Sequence, residues 1–249
     1  MKKILCLAIG IVLVLSLSAC GGKNNAGSTD EKSAEGGVMT HEEYVAAALD
    51  SEVTVETYVQ AKQSWWDGKA TFYTAAPDGA YFIYEMPCTG DEYEKLTVGT
   101  KIRVTGKKSE WSGEIEITNA KFEIIDGNYI AEPVDITGLI GTEKLDEHQN
   151  ELVKFSKMTV EPKTDKDGNE SAYLYGWDGS GKEGDDLYFD ASSDGKTVTF
   201  TVESYLCGQN TEVYKAVKEL QIGKTYDLTG FLYWYNGANP HIVAVTPAE

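Results

Sequence analysis

Cysteine is scarce in this chain: four in 249 residues, with no Cys-x-x-Cys among them. That excludes a disulfide framework and a thiolate zinc site. Beyond Cys6 and Cys20 near the start, only Cys88 and Cys207 remain, and the sequence leaves open whether they form one bridge. Histidine is as rare. His41, His148 and His241 form no His-x-x-x-His or Cys/His ligand pair, so no metal site and no cofactor is expected. No Gly-x-Ser-x-Gly nucleophile elbow occurs either. Basic residues are outnumbered 22 to 40, for a formal net charge of −18. A field of that sign repels polyanions at range, so nucleic acid is disfavoured as a partner.

Long apolar runs are also missing, apart from residues 4–19, which are too short to span a membrane. Preceded by Lys2 and Lys3 and ended by small residues, this run has the pattern of a signal peptide, residues 1–19. It closes on Leu17-Ser18-Ala19-Cys20, which resembles the lipobox of bacterial lipoproteins. The resemblance implies cleavage before Cys20 and lipidation of that residue, hence an anchor at the extracytoplasmic face of the cell membrane. Residues 20–38 are Gly-, Ser- and Asn-rich and too polar to pack, as a flexible tether would be.

What is present in the body is a repeat. Leu96, Val98, Gly99, Ile102, Val104, Thr105 and Gly106 align with Leu220, Ile222, Gly223, Tyr226, Leu228, Thr229 and Gly230, and Gly113 aligns with Gly237. Gly99 and Gly223 suit the left-handed conformation that ends a helix. The alternating "TKIRVTG" and "KTYDLTG" predict half-buried strands, each ending at a glycine that permits a bend or bulge. Upstream, "TVETYVQAKQ", "ATFYTAA" and "AYFIYEM" predict three strands, the last two joined by a tight turn at "PDG". A short helix over about 89–97 precedes the next strand. In the second copy "ELVKFSKMTV", a hairpin around Asp194-Gly195 and the helix "NTEVYKAVKEL", capped by Asn210, keep the same order. Further short helices, "MTHEEYVAAAL" with Thr40 and Glu43 as a capping box and "GTEKLDEHQ", precede the two copies.

Five strands with a helix between the third and fourth resemble the OB-fold, a small Greek-key barrel. The expectation is an all-β protein with short helices: two tandem OB-fold-like five-stranded barrels, residues 39–131 and 132–249, the second carrying an acidic insertion at about 162–185. The body as a whole resembles the tandem OB-fold lipoproteins of Gram-positive bacteria, a largely uncharacterised group. That resemblance implies a fold and a location, not an activity.

Sites for chemistry are few. "GSGKEG" (179–184) has glycine-loop spacing but leads to Asp185-Asp186, which would repel a phosphate. The oxygens of 165–170 and 178–186 are of the type calcium takes, yet they depart from the EF-hand spacing and read as turn residues. Calcium-dependent adhesion, or a structural role in the envelope, is kept as a further alternative. Carboxylate pairs such as Glu114 and Glu116 share a strand face, but a barrel of this size seldom supplies a sugar-cleaving cleft. The chain reads as a binding module and not an enzyme. OB-folds bind through the loops between strands 1 and 2 and strands 4 and 5. Trp65 and Trp66 fall on the first of these, Trp111 on the second, and Trp234 and Tyr235 on its counterpart in the second copy, with alternation burying one member of that last pair's neighbourhood. A glycan or protein partner fits these rings, with a nucleic-acid-binding OB protein as the alternative. Lys107 and Lys108 beside Trp111 are the only local cations in its favour.

Overall fold

The computed structural model describes residues 37–248. The leader, the lipobox-like stretch with Cys20 and most of the tether lie outside the described residues. The first barrel is built from β1 (Glu52–Lys62), β2 (Lys69–Ala76), β3 (Gly79–Pro87), β4 (Thr100–Trp111) and β5 (Glu114–Asn128). These close in the order β1-β2-β3-β5-β4. A six-residue helix α1 (His41–Ala46) precedes β1, and α2 (Gly90–Lys95) connects β3 to β4. Val55, Val59, Phe72, Ile83, Ile102, Val104 and Ile117 fill the interior with no exposed surface. Each such side chain contributes about 1.5–3 kcal/mol of burial. Leu96, the residue that ends α2, plugs one end of this interior.

After β6 (Val134–Asp135) and two 3-10 turns, the second barrel begins with β7 (Leu152–Glu161). The insertion folds as a small ribbon of β8 (Lys163–Thr164) and β9 (Glu170–Ser171), followed by β10 (Leu174–Tyr175). The barrel continues with β11 (Leu187–Ser193), β12 (Lys196–Val202), α3 (Glu212–Lys218), β13 (Thr225–Phe231) and β14 (His241–Pro247). Pairings β7–β11, β11–β12, β12–β14, β14–β13 and β13–β7 close the ring. This is the connection order of the first barrel, with β12–β14 parallel as β3–β5 is. Phe189 stacks on Phe200 at its centre, and Phe155 meets Phe200 edge-on. The fold is OB-type, mostly β with short helices, and occurs twice.

Three local expectations change. Gly106 does not end a strand. β4 runs through it to Trp111 with a register shift, and an ideal Cβ there would sit 2.7 Å from Ile117 Cγ2 and 2.8 Å from Thr118 O. Gly230 is pressed in the same way against the His241 carbonyl. The repeated glycine therefore marks a bulge where two strands cross too closely for a side chain. In the first copy the connection after it shrinks to Ser112-Gly113, whereas the second copy keeps an irregular 232–240 segment. Second, α3 is capped by Thr211, whose hydroxyl accepts from Tyr214 N, and not by Asn210. Third, "GTEKLDEHQ" forms a 3-10 helix, Glu143–His148, instead of an α-helix. Cys88 and Cys207 are both buried free thiols.

Candidate functional site

The two barrels meet along an aromatic seam. Tyr73 and Phe82 point outward from β2 and β3, away from the first barrel's interior, and pack on Phe231 of the second. Tyr73 and Phe231 stack at 4.5 Å, and Phe82 meets Tyr233 edge-on at 5.3 Å. The Tyr73 hydroxyl and His241 Nδ1 share a hydrogen bond of 2.6 Å. Burial pushes the His241 pKa down to about 3, so this imidazole is neutral. Backbone bonds cross the seam as well: Ser64 N donates to Tyr205 O at 2.7 Å and Asn236 N to Ser112 O at 2.6 Å. Gln149 and Asn150 hold the Gly113–Ile115 backbone from the second barrel's side.

Carboxylates line the same seam. Glu114 is fully buried, and its Oε2 accepts from Trp234 N at 2.8 Å. Burial raises its pKa to about 8, that of Glu116 to about 6 and that of Glu203 to about 7. Glu203 is fixed by the backbone N–H groups of Tyr205 and Leu206, at 3.0 and 2.9 Å.

Two hollows open on either side of the 203–205 segment. One, about 390 Å³, is lined by Trp66, Lys69, Tyr84, Glu85 and Tyr205. The Lys69 ammonium there pairs with Glu85 at 2.6 Å and lies 5.7 Å from the Trp66 ring. The other, about 580 Å³, lies at the barrel junction and is lined by the rings of Trp111, Trp177, Tyr188, Tyr233 and Tyr235. Asp186, Thr201, Glu203, Asn239 and His241 complete its wall. The Trp111 and Tyr235 rings, one from each barrel, are 5.2 Å apart.

Of the residues singled out from the sequence, Trp111 and Tyr235 thus come together, and Trp66 lies in the neighbouring hollow. Trp65 turns aside, its indole N–H donating to Cys88 O at 2.9 Å. Trp234 packs against the second barrel's core and over Gly113, where a Cβ would meet its ring at 2.6 Å. Lys107 pairs with Asp50 at 2.7 Å, and Lys108 is buried with its ammonium on the carbonyls that end α1. In the insertion, Asp165 accepts from the backbone of Asp167 and Asn169, which makes it a turn-former. Among the described residues no group of three or more His, Cys, Asp or Glu side chains is placed to hold a metal ion. Sequence reasoning missed Trp177, Tyr188, Asp186 and Glu203. Trp177 lies two residues before "GSGKEG", the stretch set aside for its glycine-loop spacing.

Fold and site together define a tandem OB-type barrel with an aromatic cleft at its junction. No family model and no curated protein matches the chain. Among solved structures it is similar to the Ifi202 HINa domain in complex with 20-bp dsDNA, at 13% identity over 80% of this chain and 100% of that one, with a TM-score of 0.35. It is also similar to a murine DNA-binding protein bound to dsDNA, at 11% identity over 79% and 96%, TM-score 0.37. A replication protein A heterotrimer bound to ssDNA matches at 11% identity over 80% and 49%, TM-score 0.31. The expectation that nucleic acid is disfavoured is corrected at this point. It rested on whole-chain charge, on the acidic neighbours of Lys107 and Lys108 and on an exported location, and the structures this chain is similar to are solved with double- or single-stranded DNA. A net charge is a sum over the molecule and does not describe any one groove.

Proposed function

We propose that the chain is a binding module whose two barrels jointly present an aromatic band to an extended ligand built of rings with an apolar face, and that those rings are sugars. The observation that carries this reading is the band itself. Trp66, Tyr84 and Tyr205 on one side of the 203–205 segment, and Trp111, Trp177 and Tyr235 on the other, are 43% to 76% exposed. Clusters of large exposed apolar side chains mark interaction surfaces. A ring face packs on the C–H face of a sugar, and Glu85, Asp186, Glu203 and Asn239 supply hydroxyl acceptors beside the rings. The leader pattern and Cys20 support an exported, lipid-anchored location for this module.

Single-stranded nucleic acid is the second reading. Bases also stack on successive aromatic rings, and Lys69 offers a cation beside Trp66. Titration followed by tryptophan fluorescence separates the two. Neutral oligosaccharides should bind with little dependence on salt, and Trp66→Ala and Trp111→Ala should each weaken binding by on the order of 1–3 kcal/mol, as for base stacking, with melting temperature nearly unchanged. Oligothymidylate binding that falls steeply with salt would transfer the site to nucleic acid. Binding of neither class would sink the proposal.

A further inference from the structure

The junction hollow differs from the Trp66 hollow in charge. Five aromatic rings and the carboxylates of Asp186 and Glu203 line it, and among the described residues no lysine or arginine does. Its one imidazole, His241, is tied to Tyr73. Aromatic faces carry negative charge density and attract a cation within about 6 Å of the ring centre. Wherever such a ring turns a face to the hollow, the wall is electronegative there as well as at its carboxylates.

The carboxylates are held in place before any ligand arrives. Both Glu203 oxygens accept backbone N–H bonds, and Asp186 Oδ1 accepts from Ser204 N at 2.8 Å. One three-residue segment thus orients both groups. With several lone pairs already engaged, Asp186 and, once pH exceeds its pKa of about 7, Glu203 supply a negative field more readily than a full set of hydrogen bonds. A primary ammonium needs about three acceptors to replace its water. A quaternary ammonium has no N–H and needs none, and its methyl groups pack on rings.

We propose that the junction hollow is a cage for a quaternary ammonium group, borne by the ligand that the aromatic band takes up. This refines the glycan reading by naming the charge of the group received at one end of the band. The about 580 Å³ hollow has room for a trimethylammonium head and its tether. Trp177, on the insertion and 76% exposed, forms an outer wall that can be removed without touching a core.

The full mature chain is titrated with choline chloride and with 3,3-dimethylbutan-1-ol, a neutral molecule of the same shape, at constant ionic strength. Tryptophan fluorescence and calorimetry report binding. Choline should bind saturably and about tenfold or more tighter than the neutral isostere, from cation–π attraction summed over several rings. Trp177→Ala should weaken choline binding about threefold or more with no fall in melting temperature, and Glu203→Gln should weaken choline while sparing the isostere. Equal binding of the two molecules, absence of saturation by choline, or indifference to Trp177→Ala overturns the cage. Oligosaccharide binding without choline binding removes the cage and leaves the glycan reading standing. Choline binding without saccharide or nucleotide binding does the reverse.

Discussion

Glu114 has no contact with solvent, and among the described residues its Oε1 has no hydrogen-bond partner. Such a carboxyl group keeps its proton, and its pKa of about 8 against an ordinary 4.5 says so. A folded-state pKa above the unfolded one means that the folded state holds the proton more tightly. The associated stability is complete below pH 4.5 and is lost as pH rises through 8. Glu203 and Glu116 act in the same direction up to about 7 and 6. One pKa unit is worth about 1.4 kcal/mol, so Glu114 alone shifts stability on the order of a few kcal/mol between pH 5 and pH 9. Glu114→Gln keeps the bond to Trp234 N and cannot ionise. Denaturant melts across that range should show the wild type losing stability with rising pH and the variant losing much less. A wild type that gains stability with pH would contradict this account.

At the scale of elements, α1 shows how little a short helix owes to its own sequence. Six residues are too few to be stable alone. Thr40 and Glu43 cap its start reciprocally, as the sequence predicts. Its end is closed by a residue from β4: Lys108 Nζ donates to Tyr44 O, Val45 O and Ala47 O at 2.8 to 3.0 Å. Lys108→Met should cost on the order of 2–3 kcal/mol, since hydrogen bonds from a charged donor are the stronger kind. Amide exchange should speed up in α1 before it does in the barrel. The barrels themselves were legible, because alternation, turn glycines and the repeated helix position are local signals. The seam was not. β2 and β3 are apolar on both faces, at Phe72 and Tyr73 and at Phe82 and Ile83. Continuous runs of that kind mean cover on two sides, but a sequence does not say what provides the second cover. The site followed the same rule. Loop position brought out Trp66, Trp111 and Tyr235, while Glu203 and Asp186 acquire meaning only when the second barrel folds against the first.

For the whole molecule, the Tyr73–Phe82–Phe231 contact decides how it unfolds. The described residues form one compact unit, and Phe231 is only 3% exposed, on the seam. Phe231→Ala should cost about 3–5 kcal/mol, as other buried Phe→Ala changes do. If the seam couples the barrels, calorimetry should show one transition in the wild type, with the variant lowering or splitting it. Two transitions in the wild type would mean that residues 39–131 and 132–249 unfold independently. Cys20→Ala addresses location. It should free the protein from membranes or leave it uncleaved, and a cleaved variant that stays membrane-bound would rule out the lipid anchor.

The two backbone bonds that cross the seam have one further effect. Ser64 N to Tyr205 O ties the Trp66 loop to the second barrel, and Asn236 N to Ser112 O ties Trp111 to Tyr235. Ring-bearing loops are usually free to adjust, and ordering them on binding costs affinity. Here the distance between the two hollows is set by main-chain geometry, so under the proposed glycan reading the band would work as a ruler. A chain whose repeat matches that distance can bridge both hollows at once and gain avidity from the second contact. A chain that is too short or out of step can occupy only one, so affinity should rise in a step with ligand length instead of gradually.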